Sequence, residues 1–314
     1  SGIPGQALSD LKDTSNPLQG LPDRVLHHHL GGIYALAFGQ DDLLATGARD
    51  YSIALWNLTK GYAGHSRKPM RTIDSHRGGI TALAFGYGSF SKYEEPVQLL
   101  LSGSADNTTR IWNARTGKEL STLSHPKTVF GIAVSPQRER NGLEEECILE
   151  FVTGCWDGKL RIFAWPGTQP QAELSGHDGG IYAVAFSPLD ATLLASASAD
   201  RTVRIWDLAR RELLWTLRGH RDHVTSVDWS PTEAFTFASG GWDRRFHLWQ
   251  LRRDDVEACR SALQNCSQRI FPRFSGKHPQ LVWRVAFAPG GDKVAACHGA
   301  VGQSPTVLVY DVST

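Results

Sequence analysis

His177, Ser196 and Asp200 are the residue types from which hydrolases build a general base, a nucleophile and an orienting acid. The set recurs, however, and the hydroxyl residue always stands four residues before the Asp. The five sets are His29, Thr46 and Asp50; His76, Ser102 and Asp106; His125, Thr153 and Asp157; His177, Ser196 and Asp200; and His220, Ser239 and Asp243. A catalytic nucleophile needs one singular, exposed and strained position. Five near-copies therefore predict a structural role, and we expect no catalytic residue and no enzymatic activity.

An aromatic residue follows each of these aspartates at a distance of six residues. The five are Trp56, Trp112, Phe163, Trp206 and Trp249. Even separations along a β-strand keep side chains on one face, so indole, hydroxyl, imidazole and carboxylate can form one chain of hydrogen bonds. The predicted structural network includes His177, Ser196, Asp200, Trp206, His220, Ser239, Asp243 and Trp249. Phe163 lacks the N–H that would begin this chain in the third repeat.

The elements that must hold these residues are short strands. Six segments share a His, a short turn and alternating apolar residues: 29–38, 76–85, 125–134, 177–186, 220–229 and 278–287. Alternation with period two around Gly, Asp and Asn turns predicts antiparallel strands, several to a repeat. One such small sheet cannot bury both faces alone, so successive sheets must stack radially and close a ring. The predicted fold is an all-β propeller.

Some repeats also carry family signatures. Gly176-His177, Gly219-His220 and Trp206-Asp207 resemble the Gly-His and Trp-Asp dipeptides of WD-repeat proteins, and the resemblance covers roughly residues 21–312. It implies four-stranded antiparallel blades. Seven blades are the commoner number in that family, but the six countable repeats of this sequence favour six. We expect residues 1–20 to be a tail or the remnant of a preceding blade, and residues 21–314 to form the propeller. The N-terminal strand, residues 22–28, would close the ring by pairing with residues 282–312.

Two classes of position that interrupt the repeat predict a binding surface. In related propellers, the residue before the turn Asp and the residue after the first aliphatic of the inner strand lie around one mouth of the central channel. Carried over, these positions predict partner-binding residues Tyr34, Arg49, Phe130, Trp156, Tyr182, Trp242 and Trp283. Aromatic and Arg side chains are typical anchors of protein interfaces. Such a mouth suits an Arg or Lys held by cation–π contact, or an apolar residue of a short peptide. Insertions at 86–98 and 135–147 predict a second partner surface on the opposite face.

Composition restricts the partners. Lys plus Arg number 33 and Asp plus Glu number 32, so no overall field draws the chain to nucleic acid or anionic lipid. The sequence contains no apolar run long enough for a membrane span and no signal peptide. Five cysteines without a C-x-x-C spacing argue against a disulfide framework or a zinc site. We therefore expect no cofactor, no metal and no membrane, and a cytoplasmic or nuclear location.

These observations favour a protein-interaction scaffold that is a subunit of a larger complex and binds proteins or peptides. Two alternatives stay open. Residues 100–115, ending in Arg115, resemble the box by which substrate receptors of cullin-type ubiquitin ligases meet their adaptor, although Thr109 and Asn113 match it imperfectly. The aromatic mouth could instead stack nucleobases, as in an RNA-binding propeller subunit of a ribonucleoprotein, although such binding usually needs a basic track as well.

Overall fold

The structure is a computed structural model that describes residues 26, 28–58, 68–88, 96–136, 149–261, 270–298 and 306–312. Within these ranges the chain folds into antiparallel sheets, five of four strands and one of three. The sheets are the blades of a six-bladed β-propeller, which confirms the predicted all-β architecture. Residues 1–20, predicted to be a tail or blade remnant, and most of the predicted closing strand, residues 22–28, lie outside the described residues.

The first three blades each contain four strands that pair in order from the innermost strand outward. Blade one consists of β1 (Ile33–Phe38), β2 (Leu43–Ala48), β3 (Ile53–Asn57) and β4 (Arg71–Ile73). Blade two consists of β5 (Ile80–Gly88), β6 (Val97–Ser104), β7 (Thr108–Asn113) and β8 (Glu119–Ser124). Blade three consists of β9 (Val129–Val134), β10 (Leu149–Cys155), β11 (Leu160–Trp165) and β12 (Ala172–Leu174).

The later blades follow the same order. Blade four consists of β13 (Ile181–Phe186), β14 (Leu193–Ser198), β15 (Thr202–Asp207) and β16 (Glu212–Arg218). Blade five consists of β17 (Val224–Trp229), β18 (Thr236–Gly241), β19 (Arg245–Gln250) and β20 (Phe274–Lys277). Blade six shows three described strands, β21 (Arg284–Phe287), β22 (Lys293–His298) and β23 (Thr306–Asp311).

Helix α1 (Arg253–Ser261) lies in the connection between β19 and β20. Its buried residues Val256 and Cys259 join the apolar core shared by blades four and five. Cys259 is disulfide-bonded, which the cysteine count did not lead us to expect, whereas Cys155 and Cys297 are free thiols. No helix in the described ranges is long and apolar enough to cross a membrane.

Neighbouring blades interlock through a small residue on the second strand. A Cβ atom at Gly154 would lie only 2.6 Å from Cγ2 of Ile181, the first residue of the next inner strand. A Cβ at Gly103 would lie 2.9 Å from Cγ1 of Val129 in the same way. The absent side chain on one blade therefore makes room for an aliphatic side chain of the next, and the apolar clusters run across these junctions.

A buried chain of hydrogen bonds joins the strands within blade four. The Trp206 indole N–H donates to Ser196 Oγ over 2.8 Å. Because that oxygen accepts, the hydroxyl proton is available for His177 Nε2 at 2.7 Å, which leaves His177 Nδ1–H to donate to Asp200 at 2.7 Å. Burial lowers the pKa of His177 and keeps the imidazole neutral. The same four-membered chain is present in blades one, two and five.

The order of Ser196, His177 and Asp200 matches that of a hydrolase triad, but its environment does not. Ser196 is fully buried, and its oxygen already accepts the indole N–H. A nucleophile must reach a substrate carbonyl, which this hydroxyl cannot do. The geometry is therefore that of a satisfied buried network.

Blade three lacks the network. Phe163 occupies the place of the Trp, and Thr153 Oγ1 and His125 Nδ1 have no hydrogen-bond partner among the described residues. Asp157 pairs instead with Arg161, whose Nη2 lies 2.7 Å from its carboxylate. The sequence indicated that Phe163 lacks the N–H that would begin the chain, and His125, Thr153 and Asp157 accordingly do not form the chain seen in the other blades.

Replacing Asp200 with Ala tests the network. The change leaves the buried His177 N–H without an acceptor and also removes the acceptor of the Thr202 hydroxyl. We expect a loss of about 1–3 kcal/mol in the free energy of unfolding, measured by urea denaturation. Asp178→Ala, which removes an exposed neighbouring carboxylate, is the control and should have little effect. Equal stabilities for the two variants would show that the chain of hydrogen bonds contributes nothing.

The pH dependence of stability tests blade three. Burial lowers the pKa of His125 to about 4, with the charge of Arg161 acting in the same direction. The unfolded imidazole binds a proton near its ordinary value of 6.5, so between these values the unfolded state holds more protons and stability falls as the pH falls. In His125→Gln, the slope of unfolding free energy against pH between 6 and 4.5 should decrease by up to about 1.4 kcal/mol per pH unit. His28→Gln, at an exposed histidine, should leave the slope unchanged. A slope in His125→Gln equal to that of the wild type would contradict the assignment.

Candidate partner-binding site

Aromatic rings line one end of the inner strands in blades three to six. We call this set the aromatic band: Phe130, Trp156, Tyr182, His223, Trp242 and Trp283. Phe130 and Tyr182 are the second residues of β9 and β13, while Trp156 and Trp242 directly follow β10 and β18. The start of each inner strand pairs with the end of the second strand, so both position classes meet at the same end of the blade.

A β-bulge explains why the second residue of the inner strand faces this end. The pairing register shifts between Ile181 and Ala183, so Tyr182 has no partner in the ladder. The inner strands of blades one, two, three and five have the same irregularity. A bulge redirects one side chain out of the alternation of the strand. The residue at the bulge therefore lies outside the hydrogen-bonded ladder, and its type differs between blades.

The rings of the aromatic band contact one another within blade three and across the three boundaries between blades three and six. The centroid separations are 5.5 Å for Phe130–Trp156, 5.3 Å for Trp156–Tyr182, 5.8 Å for Tyr182–Trp242 and 5.3 Å for Trp242–Trp283. These distances are typical of favourable aromatic pairs. Trp156 and Trp283 remain 41% and 42% exposed. The band is thus a continuous apolar surface with two indoles partly open to solvent.

Threonine at the bulge has a different role. The Thr225 hydroxyl donates to the Val282 carbonyl of blade six over 2.6 Å, and the Thr81 hydroxyl donates to the Val129 carbonyl of blade three. These side chains fasten adjacent blades. The other two predicted binding residues, Tyr34 and Arg49, lie exposed on blade one and are not part of the band.

His223 belongs to the band, although we did not predict it. Its ring stacks on Trp242 at 4.7 Å with an interplanar angle of 29°. The sequence did mark this position, which lies directly before the first aliphatic residue of the inner strand. Three other repeats have Gly there: Gly32, Gly79 and Gly180. Gly180 shows why the position matters, because a Cβ atom there would overlap the Trp156 ring. Glycine makes room for one indole, and His223 extends the band beside another.

One carboxylate acts on the centre of the band. Burial raises the pKa of the Tyr182 phenol, and the negative charge of Asp222 raises it further. Asp222 is exposed, and its Oδ1 accepts the His223 backbone N–H over 2.8 Å. A negative charge beside π-faces favours a cationic ligand over an anionic one.

Among the described residues, one group of three side chains could coordinate a metal ion: His220, Asp243 and His247. Their potential ligand atoms lie within 4.8 Å of one another. Both ring nitrogens of His220 already serve the network, Nδ1 to Asp243 at 3.0 Å and Nε2 to Ser239 at 2.8 Å. An ion on Nδ1 would displace the hydrogen bond to Asp243 and leave the Ser239 hydroxyl proton without its acceptor. We therefore assign this group to the network.

The remaining sequence features have structural roles or lie outside the described residues. In the segment 100–115, Asn113 Oδ1 accepts the backbone N–H groups of Arg115 and Thr116, and Thr109 Oγ1 lies 3.0 Å from His125 Nε2. Asn113 therefore shapes the turn after β7. Residues 89–95 and 137–148, which form most of the two insertions, lie outside the described ranges.

Comparison with known proteins places these features in a family. Residues 20–57, 67–113, 117–163, 168–207 and 211–250 match the family described as WD domain, G-beta repeat. The chain is 34% identical to human (Homo sapiens) apoptotic protease-activating factor 1 over 37% of this chain and 8% of that protein. It is 28% identical to protein ROOT INITIATION DEFECTIVE 3 of Arabidopsis thaliana over 58% of this chain and 40% of that protein. It is 30% identical to the ribosome biogenesis protein WDR12 homolog of Anopheles gambiae over 34% of this chain and 24% of that protein. The matches span less than half of each relative, but the repeats cover most of this chain, which belongs to the WD-repeat family.

Proposed function

We propose that the chain is a non-catalytic scaffold that binds a partner protein through a short peptide held at the aromatic band. WD-repeat propellers are generally scaffolds. The observation that carries the proposal is the contact of six rings across four blades, with two indoles left about two-fifths exposed. The repeat does not require an indole at Trp156 or Trp242, because three other blades have Arg or Ala at that position. Exposed indoles of this kind are typical of surfaces that a partner covers.

An Arg or Lys side chain is the ligand that this surface suits best. A cation over the Trp or Tyr faces gains about 0.5–2 kcal/mol per contact, and Asp222 adds a favourable charge. Nucleobases could stack on the same rings, but the chain carries a net charge of only +1, and binding of single strands usually draws on a basic track. The peptide is therefore the preferred ligand.

The same proposal includes membership of a larger complex in the cytoplasm or nucleus. Relatives such as the ribosome biogenesis protein of Anopheles gambiae have names that refer to assemblies. A second partner would bind the face that carries the insertions at 86–98 and 135–147. The cullin-type receptor is not preferred, because Asn113 and Thr109 already have structural partners within the described residues.

Binding to a peptide array tests the proposal. The array holds octapeptides of Gly and Ser with a central Arg, Lys, Leu or Glu, together with short homopolymer RNAs. Wild-type protein should bind the Arg and Lys peptides most strongly. Trp156→Ala or Trp242→Ala should weaken that binding by at least about 1 kcal/mol, roughly fivefold, with little change in melting temperature.

Phe271→Ala is the matched control, since it removes an exposed ring outside the band. It should bind as the wild type does. If the double variant Trp156→Ala/Trp242→Ala still bound the peptide, the aromatic band would not be the binding site. Binding confined to the RNA spots would favour the ribonucleoprotein alternative.

A further inference from the structure

The inner strand of blade five carries a charge where the other inner strands carry none. Asp228 is the fifth residue of β17, and its side chain is partly buried. The equivalent residue in each of the other five blades is alanine: Ala37, Ala84, Ala133, Ala185 and Ala286. The packing of a blade therefore does not require a carboxylate at this position.

This carboxylate lines a pocket at the end of the inner strands opposite to the aromatic band. We call it the Asp228 pocket, and its volume is about 290 Å³. Blades four, five and six each contribute an aromatic ring at the end of the inner strand and a proline two residues further on. These six walls are Phe186 and Pro188, Trp229 and Pro231, and Phe287 and Pro289. Proline rings and packed aromatic rings move little, so the pocket is largely formed before a ligand enters.

The internal contacts of Asp228 do not explain its charge. Oδ2 accepts the Phe287 backbone N–H over 2.7 Å, which links blade five to blade six, but this bond needs only an acceptor oxygen. Burial raises the pKa of Asp228 to about 6, although the backbone N–H groups of Phe287 and Trp229 and the charge of Arg284 lower it. Within the described residues, the carboxylate forms no ion pair and accepts no hydrogen bond from a side chain. At neutral pH it is thus largely ionised and lacks a paired cation.

We propose that the Asp228 pocket binds a lysine side chain of a partner protein, with the ammonium at the carboxylate and the aliphatic stem against the rings and prolines. The ammonium supplies the counter-charge that the partly buried carboxylate lacks. A guanidinium would pair best with both carboxylate oxygens, but Oδ2 already accepts a backbone N–H, whereas an ammonium needs only one oxygen. The pocket lies on the face where the proposed function has a second partner, and the inference rests on that placement; it does not depend on the aromatic band.

The carboxylate lowers the stability of the chain when no cation is bound. Because its pKa is about 6 in the folded chain and 3.8 is the ordinary value, the folded state holds more protons between these values, and this contribution to stability is lost as the pH rises through them. Asp228→Asn keeps an acceptor oxygen for the Phe287 N–H and removes the charge. Its melting temperature at pH 7 should therefore not be lower than that of the wild type, so a loss of binding is separable from a loss of folding.

The fluorine resonance of Trp229 in protein labelled with 5-fluorotryptophan reports whether the pocket is occupied. An octapeptide of Gly and Ser with a central Lys should shift this resonance, and the same peptide with norleucine, which lacks the ammonium, should not. Asp228→Asn should weaken the binding of the Lys peptide at least about tenfold. Glu233→Gln, which removes a carboxylate on the same face outside the pocket, should leave the affinity unchanged.

Three results of this titration would overturn the proposal. The first is an equal response of Trp229 to the norleucine and Lys peptides, which would make the pocket merely apolar. The second is tighter binding of an Arg peptide than of the Lys peptide at this site. The third is an undiminished affinity in Asp228→Asn.

The pH dependence of the wild type decides the question even if Asp228→Asn does not fold. A lysine ammonium stays protonated below pH 8, whereas Asp228 takes up a proton near pH 6, and the walls of the pocket have no other titratable group. The affinity measured at Trp229 should therefore fall about tenfold between pH 7 and pH 5, and a constant affinity would overturn the proposal. Shifts at Trp156 and Trp242 without one at Trp229 would also overturn it while supporting the peptide site, and a shift at Trp229 alone would do the reverse.

Discussion

The structure depends on the need of buried polar groups for partners. An indole N–H, a hydroxyl and an imidazole lie in the interior of blade four, where water does not reach them, and each must be paired within the blade. The pairing works only if Ser196, Asp200 and Trp206 keep their sequence spacing. His177, in the connection before β13, must also lie against them. That requirement fixes the repeat, and the interlock of small and aliphatic residues then fixes how one blade meets the next.

The residue type can vary only at positions that neither the hydrogen-bond network nor the contact between blades determines. The bulge in the inner strands of blades one to five takes one residue out of the hydrogen-bonded ladder. In blades two and five the chain uses Thr there to join adjacent blades. In blades three and four it places Phe130 and Tyr182, whose rings contact Trp156. The scaffold and the candidate binding surface are therefore two uses of the same blade geometry.

The sequence predicted those parts of the molecule that spacing alone controls. The propeller and the hydrogen-bond chains follow from residue types at constant separations, and Phe163 showed in advance that blade three lacks the indole that begins the chain. The ion pair of Asp157 with Arg161 was not predicted. It depends on which donor lies nearest to the carboxylate when the hydrogen-bond chain is absent. His223 was missed because it stands outside both position classes.

The central claim is that the indoles of the network hold the fold while those of the aromatic band contact the ligand. The chain has ten tryptophans, and incorporation of 5-fluorotryptophan gives each a fluorine resonance that single Trp→Phe replacements can assign. Titration with the best-binding Arg-centred peptide should shift the resonances of Trp156, Trp242 and Trp283 and leave those of Trp56, Trp112, Trp206 and Trp249 in place. Shifts confined to the second group, or to neither group although the peptide binds, would contradict the account.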